Sequence, residues 1–138
     1  MKRFLDTNIL LYSISTDAAE SEKRVVAVEA LESPDNVLSV QVLQEFYVQA
    51  TRHTRRDAVP HAVAAGLIEA WSRFPVVETS LALVRKALEL RDRRGWSYWD
   101  AVIVAAALEG GCNELWSEDL NHGQREGALK IIDPFLPD

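Results

Sequence analysis

Short apolar runs alternate along this chain of 138 residues with stretches of helical periodicity, and that alternation limits the possible folds more than any other feature. Residues 2 to 6, Val37-Leu38-Ser39-Val40, Pro75-Val76-Val77-Glu78, Glu114-Leu115-Trp116-Ser117 and Lys130-Ile131-Ile132 read as strands. A helical segment follows the first run near residues 8 to 14. Asp17 and Glu20 have capping-box spacing and open a helix to about Glu32, with Val25, Val28 and Leu31 on one face. Leu43, Phe46, Tyr47 and Ala50 recur at amphipathic-helix spacing. Thr54 to Asp57 are expected to cap a further helix, with Pro60 in its first turn, running to about Arg73. Thr79 or Ser80 caps the next, which Gly95 ends after Arg94, and Ser97 opens a helix apolar all round from Ala101 to Leu108. Buried strands joined by helices give an α/β domain. Its mainly parallel sheet of about five strands is covered on both faces, in one unit spanning 1–138. The strand order stays open.

Composition narrows the setting. Cys112 is the only cysteine, which excludes an intramolecular disulfide and suits a reducing, cytoplasmic compartment. No apolar stretch approaches the roughly 20 residues that span a bilayer, and Asp6 and Asn8 interrupt any signal-like run behind Lys2-Arg3. Acids outnumber Lys plus Arg by 21 to 15, a formal charge of −6, which argues against simple electrostatic capture of nucleic acid. Two basic clusters, Arg52-His53 with Arg55-Arg56 and Arg91 with Arg93-Arg94, read equally as solvated helix ends or as phosphate contacts.

Four acids stand where stability alone does not call for them: Asp6, Glu45, Asp100 and Asp119. Asp6 and Asp119 follow predicted strands, Glu45 lies in the helix after another, and Asp100 continues a buried stripe with Ile103, Val104 and Ala107. Each has a plain alternative. Asp6 suits an N-cap, Glu45 a solvated helix face, Asp100 the third position after the Ser97 cap, and Asp119 a turn in which Glu118 competes for the same role. In a parallel sheet, however, all strands end on one edge, and these positions can gather there. Carboxylates about 4 Å apart repel by roughly 4 kcal/mol per pair at the dielectric typical of protein surfaces, so convergence calls for protons or a divalent cation. Oxygen donors, with His53, His61 and His122 scattered, favour Mg²⁺ or Mn²⁺ over Zn²⁺.

Leu5-Asp6-Thr7-Asn8-Ile9-Leu10, Ser39 through Glu45-Phe46, Ser97-Tyr98-Trp99-Asp100-Ala101 and Trp116-Ser117-Glu118-Asp119-Leu120 resemble, in this order, the motifs of PIN-domain ribonucleases, and in length the VapC-type toxins of toxin–antitoxin pairs. The resemblance implies a PIN-like three-layer α/β/α sandwich and hydrolysis of RNA phosphodiester bonds with Mg²⁺ or Mn²⁺. It implies Asp6, Glu45, Asp100 and Asp119 as the acidic, metal-binding quartet, and Thr7, Asn8 and Ser117 as small polar residues lining the substrate site. It further implies a homodimer and a small antitoxin covering the active site. A PIN fold that only binds RNA or protein is the alternative. A phosphoaspartate-type phosphatase is a more distant one, because Asn8 stands where such enzymes want a second Asp. Trp96, Tyr98 and Trp99 are expected to serve core or dimer packing, with base stacking as the competing role, and His122 is a candidate phosphate contact.

Overall fold

The computed structural model describes residues 1–137. The first half runs β1 (Arg3–Leu5), α1 (Thr7–Ser13), α2 (Ser21–Glu32), β2 (Asn36–Ser39), α3 (Val40–Thr51) and α4 (His61–Trp71). The second runs β3 (Val76–Val77), α5 (Leu81–Arg94), α6 (Tyr98–Glu109), β4 (Glu114–Trp116), β5 (Arg125–Glu126) and β6 (Leu129–Ile132). One six-stranded sheet forms in the order β3-β2-β1-β4-β6-β5. All pairings are parallel except that of β5 with β6. The fold is therefore the mixed α/β sandwich expected from the alternation, with a sixth strand. β5 is short, charged and antiparallel, and is made by a tight return at Gly127 (φ 58°). Such an edge strand has no apolar run to announce it.

Apolar residues with no exposure fill both faces of the central strands: Phe4 and Leu5 from β1, Leu38 from β2, Leu115 from β4 and Ile131 from β6. Ala101 to Ala107 of α6 are all buried, as its apolar circumference requires. Ser39, Ser80 and Ser97 cap α3, α5 and α6 by accepting from the third residue on. Gly95 takes φ 72° and ends α5.

Three local expectations are corrected. Helix α2 buries Ala27, Ala30 and Leu31, while Val25 and Val28 are exposed. The small residues allow α2 to lie close to its neighbours, and a hydrophobicity pattern gives alanine too little weight. The Asp17–Glu20 pair makes no capping box. Asp17 caps a 3₁₀ turn at Ala18–Glu20, and Glu20 accepts from the Ser15 hydroxyl at 2.6 Å. Thr54 to Asp57 cap no helix: α4 starts after Pro60, and Asp57 accepts from the Thr16 amide and pairs with Arg55. A local cap candidate is lost to a tertiary bond.

Gly110, just after α6, sits against the sheet. A Cβ there would lie 2.9 Å from Cγ1 of buried Val37 and 3.2 Å from Cγ2 of Val77. Valine methyl groups cannot swing away as a long side chain can. Gly110→Ala is expected to cost about 1–3 kcal/mol by overpacking, measured as a lower urea midpoint with an unchanged slope.

Candidate active site

The sheet order reverses direction at β1. The chain builds outward from β1 through β2 to β3 on one side, and from β4 to β6 on the other. Such a switch point opens a crevice at the carboxyl ends of the two central strands, where open α/β sheets hold their ligands. Asp6 follows β1 and Ser117 follows β4, the two strands that flank the crevice. Backbone bonds from the Asp6 amide to the Trp116 carbonyl and from the Ser117 amide to the Ile132 carbonyl, both 3.0 Å, fix these strand ends in register.

Asp6 is 8% exposed and has its two carboxylate oxygens on different partners. Oδ1 accepts from the Thr7 amide at 2.7 Å and Oδ2 from the Ser117 hydroxyl at 2.7 Å. The capping role and the buried-acid role thus coexist, since Asp6 is the N-cap of α1. Thr7 then reaches the second acid, its hydroxyl donating to Glu45 Oε2 at 2.9 Å. Gln41, one turn earlier on α3, donates to Glu45 Oε1 at 2.9 Å. Asn8 donates to Asp119 Oδ2 at 2.9 Å, and the Asp119 amide donates to Ser117 Oγ at 3.1 Å.

One hydrogen-bonded array therefore links Asp6, Glu45 and Asp119 through Thr7, Asn8 and Ser117. The three small polar residues each donate to a carboxylate in this arrangement. Asp100 stands in the first turn of α6 and is half-buried; among the described residues its carboxylate accepts no hydrogen bond. Its negative charge nevertheless helps raise the Asp119 carboxyl, after burial and Glu118.

The electrostatics are those of an acidic site lacking a counter-charge. Burial pushes the Asp6 carboxyl up to about 6, against the opposing bonds from Ser117 and Thr7 and with added repulsion from Asp119 and Glu45. Among the described residues, none of the four acids takes part in a salt bridge. An all-oxygen donor set of this charge fits a hard divalent cation. Among the described residues, no three His, Cys, Asp or Glu side chains are drawn close enough to hold one ion as they stand. Metal binding would have to close the carboxylates inward.

Glu118 points away from Asp119 and the Asp6 array. Its carboxylate accepts from the Tyr12 hydroxyl and from Lys23 Nζ, the latter at 2.9 Å, on the side of α1 and α2. His122 accepts from the Asp133 amide at 3.0 Å, a bond within the C-terminal segment. Of the aromatic trio, Trp96 is half-buried under the Arg94 guanidinium, but Trp99 is 63% exposed and is not a core residue. Arg93 and Arg94 both pair with Glu126, which ties α5 to β5, so most of this basic cluster is engaged. Gln41, Tyr12 and Lys23 carry no motif of their own in the sequence. Gln41 lies four residues before Glu45 and Tyr12 four after Asn8, a same-face spacing that is visible once Glu45 and Asn8 are suspected.

The PIN-domain family profile matches residues 3–127. The fold is also similar to solved structures. A toxin–antitoxin complex from Klebsiella pneumoniae aligns with TM-score 0.72 and 22% identity, over 97% of this chain and 98% of that one. VapC20 of Mycobacterium tuberculosis, described as a sarcin–ricin loop cleaving toxin, aligns with TM-score 0.64 and 24% identity, over 86% and 92%. A DNA-bound VapBC from Salmonella typhimurium aligns with TM-score 0.63 and 19% identity, over 97% and 98%. No match to a curated protein sequence was found.

Proposed function

Since the chain belongs to the PIN-domain family, we propose that it is a metal-dependent endoribonuclease and the toxin of a toxin–antitoxin pair. The observation that carries this reading is the buried Asp6 carboxylate at the sheet switch point, hydrogen-bonded into an array with Glu45 and Asp119 and, among the described residues, without a cationic partner. Similarity to a toxin that cleaves the sarcin–ricin loop supports RNA as the substrate. Similarity to toxin–antitoxin complexes supports a small antitoxin partner, and a homodimer goes with the same reading. Among the described residues, no helix is long and apolar enough to cross a membrane; the cytoplasmic setting rests on the RNA substrate and antitoxin partner of this reading.

Asp6, Glu45, Asp100 and Asp119 are the residues that would hold Mg²⁺ or Mn²⁺. When bound, the metal supplies charge neutralisation at the scissile phosphate and acidifies a water. The chain's own residues prepare that chemistry. Thr7 and Ser117 fix the orientation of Asp6. Gln41 and Thr7 fix Glu45, whose role in this reading is to orient or deprotonate the attacking water. Asn8 steers Asp119 towards the same edge. The net negative charge of the protein is then no obstacle, because the phosphate meets its positive charge at the site.

A non-catalytic PIN fold that binds RNA or protein draws support from one observation, that the acids are not closed on a common point. Incubation of the purified protein with RNA separates the readings. Cleavage is expected with Mn²⁺ and none with EDTA; intact RNA in both would leave only the binding role. Expression in bacteria is expected to arrest growth, and harmless expression of an enzyme active on RNA would remove the toxin assignment.

A further inference from the structure

Consecutive acids after β4 go to opposite destinations, and one face of α1 receives both. Asn8 donates to Asp119, and Tyr12, one turn later, donates to Glu118. Lys23 of α2 completes a three-way contact, with Nζ 2.9 Å from Glu118 Oε2 and 3.2 Å from the Tyr12 hydroxyl. The ammonium lies 4.9 Å from the Tyr12 ring centroid and 5.4 Å from that of Phe135, whose ring meets Tyr12 edge-on at 5.1 Å. Helices α1 and α2, the turn after β4 and the C-terminal segment therefore meet at one point.

The opposite end of the same turn is equally constrained. Ser117 Oγ donates to Asp6 and accepts from the Asp119 amide, so Asp119 is coupled to Asp6 through one hydroxyl. A turn gripped only there would leave Asp119, which is exposed, to swing on a single bond to Asn8. Glu118 supplies the second grip. It is the side chain of the residue between the two site residues, so releasing it frees the backbone that aims Asp119.

We propose that Tyr12, Lys23 and Glu118 are positioning residues that clamp the turn after β4 and thereby set Asp119 for metal binding. The inference rests on the nuclease reading of the site. It assigns Glu118 a role outside the acidic quartet and explains why two adjacent acids are present. Groups bonded directly to a metal ligand typically change metal affinity by roughly 10–100-fold when removed; Tyr12 and Lys23 act one step further out, through Glu118 and the backbone of the turn, so the lower end of that range is expected.

The test is direct Mn²⁺ binding by electron paramagnetic resonance, with amide hydrogen exchange across residues 117–119 in the metal-free protein. Tyr12→Phe keeps the ring against Phe135 and removes only the hydroxyl; Lys23→Met keeps the stem and removes the ammonium. Each is expected to weaken Mn²⁺ binding roughly tenfold and to speed exchange at Asp119, with Lys23→Arg restoring both. Wild-type binding that Asp6→Asn weakens, but that Tyr12→Phe and Lys23→Met leave unchanged, overturns the clamp and leaves the nuclease reading standing, even if the two variants melt earlier. A wild type that neither binds Mn²⁺ nor cleaves RNA overturns both.

Discussion

Asp6→Asn is expected to reduce Mn²⁺-dependent RNA cleavage by at least roughly a hundredfold, more than the 10–100-fold typical of losing a partner one step removed from the metal. The substitution is nearly isosteric. Its carbonyl oxygen can keep the bond from the Thr7 amide, so the start of α1 should survive. The amide nitrogen then faces Ser117 Oγ, which now donates to Asp6 while accepting from the Asp119 amide. That hydroxyl has to give up its present direction, and the site loses its most buried charge. Asp100→Asn should be comparably damaging to cleavage with less effect on the array, because Asp100 accepts no hydrogen bond among the described residues. Single-turnover rates over a Mn²⁺ titration, beside thermal melts of each variant, check this. Cleavage by folded Asp6→Asn at the wild-type rate would sink the assignment of Asp6.

Local chemistry made much of this arrangement legible in the sequence. Asp6 at the end of an apolar run, Ser97 three residues before Asp100, and Gly95 after a basic helix end each act within a few residues. Each appears in place. What stayed hidden depends on partners distant in sequence. The different partners of Glu118 and Asp119 come from Tyr12 and Asn8, more than a hundred residues away. The anchoring of Asp57 by the Thr16 amide is likewise invisible to a capping rule. The inward face of α2 departs from the valine pattern for a different reason: alanine buries well at a close helix contact but carries a weak hydrophobic signal. Strand β5 gave no signal at all, since its pairing comes from the return at Gly127 and the anchoring of Glu126 by Arg93 and Arg94.

The metal-free protein should become less stable relative to Asp6→Asn as the pH rises from about 4 to above 6. Burial lifts the Asp6 carboxyl from 3.8 to about 6 on folding. Between those values the folded chain holds a proton that the unfolded chain releases, so unfolding is linked to proton loss and rising pH favours it. The contribution of Asp6 is fully present below the unfolded value and is lost as the pH rises through about 6. Above that, keeping the group ionised costs about 3 kcal/mol. Asp57, Glu89 and Glu126 are held below their ordinary values by Thr16, Lys86 and Arg93 respectively, and they act with the opposite sign. The absolute stability curve therefore mixes both effects, whereas the difference between wild type and Asp6→Asn isolates one. With EDTA, the melting-temperature advantage of Asp6→Asn should grow by roughly 10 °C between pH 4.5 and 7.5 for a domain of this size. Mn²⁺ at pH 7.5 should recover most of that gap in the wild type, because it binds the folded form, and should do little for the variant. Parallel pH curves for the two proteins would mean that Asp6 does not carry the buried charge. A gap that opens with pH but does not respond to Mn²⁺ would leave the buried acid in place and remove the metal.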